Sequence, residues 1–285
     1  MSDMQPTSNA QQIAYWNEEG GERWVAIQAR TDAAFAEVTQ AALHSAAPQP
    51  GETVLDIGCG CGGTVLDLAR SVAPAGNVVG LDVSRPMLAL AEDRARGVGI
   101  ANAEFILADA STYPFETRFD LAFSRFGVMF FDEPFGAFAN IKRALRPGGR
   151  LAFLAWRPLK ENPWFTVPLG VALQHVPPPA PADPRAPGPF AFADPQYVRD
   201  ILERAGFSAI EIERRDPAMK LAAPGDLAGA ASLATNLGVV SRLLTGQDTA
   251  MWSAVENGIR EALKPYDGPA GVSLGGSVWF VTARA

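Results

Sequence analysis

Three carboxylates stand where three short apolar runs end: Asp56 in the run 53–57, Asp82 after 78–81 and Asp109 after 103–108. Asp56 leads directly into Ile57-Gly58-Cys59-Gly60-Cys61-Gly62-Gly63, a turn so dense in glycine that backbone must approach a ligand there. Gly58 and Gly60 tolerate positive φ and carry no Cβ. The run Val65-Leu66-Asp67-Leu68-Ala69 behind them reads as a helix whose first N–H groups face the turn. Such a turn suits a nucleotide-like group.

The turn alone does not choose the group. Gly58-x-Gly60-x-x-Gly63 satisfies a dinucleotide fingerprint, and Gly58-x-Gly60-x-Gly62 equally satisfies an S-adenosylmethionine (SAM) loop. Asp82, nineteen residues beyond Gly63, can accept hydrogen bonds from both hydroxyls of a ribose in either case. The two readings part at Asp56, where a dinucleotide loop usually has an apolar residue, and at Asp109-Ala110, suited to an adenine amino group. SAM also has no pyrophosphate, so it does not call for the Arg or Lys that phosphates often recruit. These residues favour SAM.

The elements that must position them alternate. Residues 53–57, 78–82, 103–108, 119–123, 150–156, 209–214 and 277–283 read as strands, with helices over 64–71, 86–96, 134–145 and 195–205. Alternation of this kind means a parallel sheet with crossover helices. The last strand lacks a crossover helix and is expected to pair antiparallel at or near an edge. The predicted fold is therefore α/β, a doubly wound Rossmann-like seven-stranded sheet, mostly parallel with an antiparallel last strand. A helical N-terminal lid over 1–47, in which Gly20-Gly21 reads as a hinge, precedes a core over 48–156. A proline-rich substrate-side insertion over 157–194 follows. The core resumes over 195–216, a helical insertion covers 217–276 with helices over 226–244 and 248–263, and the final strand lies in 277–285. Residues 176–189 hold seven prolines in fourteen positions and read as a stiff extended loop, either a linker or a wall of the pocket flanked by Trp164, Phe165, Phe190 and Phe192.

On these residues the chain resembles the class I SAM-dependent methyltransferases, in particular the bacterial small-molecule group related to quinone-biosynthesis methyltransferases. The resemblance covers nearly the whole chain. It rests on 54–62, on Gly80-Leu81-Asp82-Val83-Ser84 with Met87, on Ala108-Asp109-Ala110, on 119–131, on Leu145-Arg146-Pro147-Gly148-Gly149-Arg150 and on 278–284. It implies that Gly58 and Gly60 approach the methionine part of SAM, that Asp56 orients the loop and that Asp82 holds the ribose with Val83 beside it. Met87 would pack near the adenine or fill the core, Asp109 and Ala110 would meet the adenine edge, and backbone around Ser124 and Arg125 would meet the methionine amine. Tyr15 and Trp16 lie in a segment that, in this type of enzyme, often closes over the cofactor. Arg30 could pair with the SAM carboxylate or sit on a wet face.

Methyl transfer is an in-line displacement that needs alignment and exclusion of water more than acids and bases. Where a base is used, the chain offers only His44 and His175, and His175 beside the proline-rich loop is the catalytic candidate. The acceptor is expected to be a small, partly apolar molecule attacked at O, N or C, with SAM leaving as S-adenosylhomocysteine. Two other readings stand beside this one: a catalytically silent SAM-binding regulator and an NAD(P)-dependent oxidoreductase.

The composition narrows the field further. A net charge of -7, with no Lys/Arg cluster, argues against a nucleic-acid partner. Both cysteines, Cys59 and Cys61, sit in the glycine turn, too close for an unstrained disulfide and without further Cys or paired His for a metal. Residues 1–12 lack a signal layout and no apolar run reaches membrane-spanning length, so a cytoplasmic protein without a metal is expected.

Overall fold

A computed structural model describes residues 8–179 and 183–285; the readings of residues 1–7 and of 180–182 in the proline-rich stretch lie outside the described residues. The chain begins with three helices, α1 (Ser8–Asn17), α2 (Glu19–Ala26) and α3 (Gln28–Ala46). Gly20 and Gly21 do not form a hinge. Both lie inside α2 and are buried, and the chain bends instead at Glu18 and Ile27. A Cβ on Gly21 would lie 2.1 Å from the Trp16 carbonyl oxygen and 2.8 Å from Ser84 Oγ, so the glycine pair permits close packing rather than bending.

The core is a seven-stranded sheet. Its strands are β1 (Thr53–Ile57), β2 (Asn77–Asp82), β3 (Ala103–Leu107), β4 (Phe119–Arg125), β5 (Leu145–Trp156), β6 (Ser208–Arg215) and, after three short strands, β10 (Val278–Arg284). The order is β3-β2-β1-β4-β5-β10-β6. β1 pairs parallel with β2 and β4, β3 and β5 extend that parallel set, and β10 runs antiparallel between β5 and β6. The crossover helices are α4 (Gly63–Val72), α5 (Arg85–Gly97), α6 (Pro134–Ala144) and, between β5 and β6, α8 (Pro195–Arg204), which follows the inserted α7 (Pro163–Ala172). Val54, Leu55, Leu121, Ala122 and Phe123 are wholly buried, as expected for central strands covered on both faces. Glu133 starts α6 by accepting the Gly136 amide at 2.6 Å, with Pro134 in the first turn. Arg146-Pro147-Gly148-Gly149 is absorbed into the start of β5, where Leu145 pairs with Phe119 and the ladder shifts register before Arg150.

The segment 217–276 is not purely helical. It carries β7 (Ala218–Ala222), α9 (Leu227–Asn236), α10 (Gly238–Leu243), α11 (Thr249–Leu263), β8 (Asp267–Gly268) and β9 (Gly271–Gly275). These strands form an antiparallel sheet in the order β7-β9-β8, against which α3 packs through β7. The single helix expected over 226–244 breaks at Leu237-Gly238, where Leu237 is extended and Gly238 adopts a φ of 64°. Among the described residues no helix is long and apolar enough to cross a membrane.

Candidate functional site

The carboxyl ends of β1, β2, β3 and β4 open onto one cavity at the point where strand order reverses between β1 and β4, the place where open α/β sheets bind ligands. Its floor is the turn Gly58-Cys59-Gly60-Cys61 with Thr64. Asp82, Val83, Met87, Asp109 and Ala110 line one side, and Arg125, Phe126 and Gly127 line the end of β4. Asn9, Gln12, Tyr15 and Trp16 of α1 cover the adjoining wall.

Backbone geometry fixes the floor. The Gly58 amide donates to the Leu81 carbonyl at 2.8 Å, and a Cβ at Gly58 would lie 2.9 Å from the Gly127 Cα. With φ at 66°, no other residue type fits there without strain. Asp82 Oδ2 accepts the Gly60 amide and Oδ1 the Ser84 amide, each at 2.8 Å. Burial raises the Asp82 carboxyl from its ordinary value, opposed by the amides of Ser84, Gly60 and Val83. Asp109 accepts the Asn9 side-chain amide and, at 2.9 Å, the Ser111 backbone amide.

Asp56 and Ser124 lie behind the lining rather than on it. Asp56 is wholly buried; its Oδ2 accepts the Thr64 hydroxyl, and its Oδ1 has no hydrogen-bond partner. Burial pushes its carboxyl up to about 7, against the lowering effects of Thr64 and Arg125, with nearby Asp82 adding to the rise. Ser124 Oγ donates to the Ile57 carbonyl at 2.7 Å and accepts the Gly127 amide at 3.2 Å. Its side chain clamps β1 to β4 and is turned away from the cavity, which at this end is lined by Arg125, Phe126 and Gly127.

His175 does not reach the cavity. It lies exposed in the turn after α7, beside Gly258 of α11, outside the lining, where it cannot serve as a base for a molecule bound in the cavity. His44 is exposed in the last turn of α3, and Arg30 is exposed on the same helix. Among the described residues neither histidine nor lysine lines the cavity. Burial pushes the Cys61 thiol up to about 12 and the Cys59 thiol well above its ordinary range, so neither supplies a thiolate. Among the described residues there is no group of acidic, Cys and His side chains able to hold a metal ion.

Several lining residues carry no local sequence signal. Asp32 of α3 accepts Arg94 Nη2 at 2.7 Å and Arg125 Nη2 at 3.3 Å, while Arg94 also donates to the Cys61 carbonyl. This network ties α3 to the glycine turn and to the end of β4. The deep end of the cavity is aromatic. Phe126 stacks on Trp156 with ring centroids 4.3 Å apart and planes 4° from parallel. Phe35, Trp164 and Phe165 close round that pair. Of the residues flanking the proline-rich stretch, Trp164 and Phe165 line the cavity with Pro189; Phe190 packs behind Phe165, and Phe192 lies in the core against Phe138 and Phe153.

A family model described as a methyltransferase domain matches residues 54–149, which span β1 through the start of β5. Nocamycin O-methyltransferase of Saccharothrix syringae is 31% identical over 201 residues, covering 67% of this chain and 70% of that protein. The chain belongs to the class I SAM-dependent methyltransferases. This methyltransferase takes SAM as its cofactor. The ubiquinone/menaquinone biosynthesis C-methyltransferase UbiE of Ectopseudomonas mendocina is 38% identical over 108 residues, 37% of this chain and 42% of UbiE. The chain thus aligns with less than half the length of that relative. Phosphoethanolamine N-methyltransferase 2 of Haemonchus contortus, in complex with SAM, matches at a TM-score of 0.58 and 18% identity over 95% of this chain and 59% of that one, a likeness of fold alone. The cavity fits the cofactor on its own terms. A buried, unpartnered carboxylate oxygen lies beneath a backbone cradle that a Cβ would fill, in a cavity carrying acidic groups for hydroxyls and cations.

Proposed function

We propose that this methyltransferase alkylates an oxygen or carbon of a small, planar, largely apolar molecule that ionises without help from an enzyme base. Bound SAM supplies the sulfonium methyl. The chain's residues bind, orient and exclude water. In this reading Gly58 and Gly60 carry the methionine part on their backbone, and Asp82 accepts the ribose hydroxyls with Val83 alongside. Met87, Asp109 and Ala110 form the adenine slot, and Tyr15 with the rest of α1 serves as its lid. Asp56 and Ser124 act from behind, holding Thr64 and the β1–β4 junction.

The observation that carries the acceptor reading is the flat wall of Phe126 on Trp156. Phe126 holds a φ of 63°, a conformation costly for a bulky residue, and that backbone is what sets its ring against the indole at the end of β4. A planar acceptor would stack there with its attacking atom directed toward the glycine turn. With no histidine or lysine on the lining among the described residues, an acceptor already ionised, or acidic enough to ionise in water, is favoured over one needing a base.

Calorimetric titration with SAM, S-adenosylhomocysteine and NADH comes first, followed by an S-adenosylhomocysteine release assay across planar phenols, enolisable diketones and aliphatic amines. Binding of both adenosyl ligands and turnover confined to the planar, acidic acceptors is the expected result. Turnover of aliphatic amines alone would overturn the acceptor reading, and NADH binding without adenosyl binding would overturn the rest.

A further inference from the structure

Three arginines besides Arg94 approach the cavity, and one differs from the others. Arg125 is neutralised by Asp32, and Arg23 reaches Glu19 at 3.4 Å and the Ser241 carbonyl at 3.5 Å. Arg242, on α10, lines the cavity with its guanidinium carbon 4.6 Å from the Tyr15 ring centre and 5.7 Å from that of Phe130. Among the described residues it has no carboxylate partner and its side chain makes no hydrogen bond. Aromatic faces stabilise a cation but offer no lone pair in the plane of its N–H groups, so its five donors find no acceptor among the described residues. Arg23 stands on the same wall but is paired with Glu19, which leaves Arg242 as the lining arginine without a carboxylate among the described residues.

We propose that Arg242 is a specificity-determining residue that receives an ionised oxygen of the methyl acceptor, a carboxylate or an acidic phenol carried on a planar apolar body. The inference rests on the methyl-transfer reading above. A guanidinium matches a carboxylate with two parallel hydrogen bonds, and in a cavity walled by Tyr15, Phe130, Trp16 and Trp24 such a pair is shielded from water. The aromatic wall recognises the body of the acceptor and Arg242 its charge. Because α10 belongs to the inserted segment after β6 rather than to the sheet, recognition of the acceptor's charge lies on a different part of the chain from the residues assigned to the cofactor.

The test uses the full chain saturated with S-adenosylhomocysteine and three probes of similar shape: 2-naphthoate, 7-hydroxycoumarin and neutral 2-naphthamide. Calorimetry of the wild type should show 2-naphthoate, or 7-hydroxycoumarin above its ionisation, binding at least roughly tenfold more tightly than the amide, as a charge-assisted hydrogen bond requires. Arg242→Met should erase that preference while leaving S-adenosylhomocysteine affinity unchanged, and Arg242→Lys should restore part of it. A preference for naphthoate alone assigns a carboxylate, and one that appears only as hydroxycoumarin ionises assigns a phenolate. Equal affinity for charged and neutral probes in the wild type would overturn the proposal. So would equal loss of all probes in Arg242→Met, or a fall in S-adenosylhomocysteine affinity, which would move Arg242 to the cofactor or the scaffold. Failure of the wild type to bind S-adenosylhomocysteine at all would instead remove the methyl-transfer reading.

Discussion

Asp82 holds the amide of Gly60 at 2.8 Å, so the acid at the end of β2 that is assigned to the ribose also fixes the turn beneath it. Its other oxygen accepts the Ser84 amide at the start of α5. Asp82→Ala removes both functions and should weaken SAM binding by roughly 1–3 kcal/mol, the cost of leaving hydrogen-bonding groups unpaired. Asp82→Asn keeps one acceptor and should lose less. Calorimetry with SAM measures both, and an unchanged affinity in Asp82→Ala would remove the ribose assignment.

The pH dependence should centre on Asp56. Burial pushes its folded-state carboxyl up to about 7 from an ordinary 3.8, so between those values the folded chain holds a proton that the unfolded chain has released. Stability of the ligand-free protein should therefore fall as pH rises through that window, the reverse of a salt-bridged carboxylate. A cationic ligand favours the ionised form, so SAM binding near pH 7 should release a fraction of a proton. Titrations in two buffers of different ionisation enthalpy would detect it, and Asp56→Asn should abolish it. Equal heats in both buffers for the wild type would remove this coupling.

Gly58→Ala should damage both fold and site. Its Cβ would press on the Gly127 Cα, which is backbone and cannot swing aside, at a φ of 66°. A loss of roughly 1–3 kcal/mol in thermal or urea unfolding is expected, with weaker SAM binding because β1 and β4 must separate at that junction. Wild-type stability and affinity in this variant would show that the junction is slack.

What the sequence made legible was local. The run from Val54 to Ala69 carries strand, turn and helix in one continuous stretch, and the acids at 56, 82 and 109 recur at the ends of successive strands, so period and spacing were enough. The Asp32 network was not legible, because its partners Arg94 and Arg125 stand 62 and 93 residues away and no pattern links them. The small antiparallel sheet was missed because β8 has two residues and β9 is Gly271-Val272-Ser273-Leu274-Gly275, which reads as loop until β7 pairs with it. His175 is close to the proline-rich stretch in sequence alone. That nearness does not bring its side chain to the cavity, since the turn after α7 that carries it is exposed.

That displacement makes His175 a useful control. His175→Ala should leave kcat, KM and SAM affinity at wild-type values, since the imidazole is exposed and distant from the lining. A drop in kcat at constant SAM affinity would return a base to the mechanism and undercut an acceptor that ionises on its own.

The N-terminal helices should govern product release. Asn17, at the end of α1, donates to the Val83 carbonyl at 2.8 Å and accepts the Arg85 amide at 3.0 Å, while Ser84 Oγ donates to the Trp16 carbonyl at 2.6 Å. These bonds pin α1 across the backbone that follows Asp82, on the side of the cavity assigned to the adenosine. Asn17→Ala deletes two of them without touching the lining. At about 0.5–1.5 kcal/mol each, their loss should speed S-adenosylhomocysteine dissociation by roughly tenfold. If release limits turnover, kcat should rise with it. Stopped-flow displacement of S-adenosylhomocysteine by excess SAM reads the rate directly. An unchanged rate in Asn17→Ala would mean that the adenosyl group leaves without α1 lifting, and the lid assignment for these helices would fall.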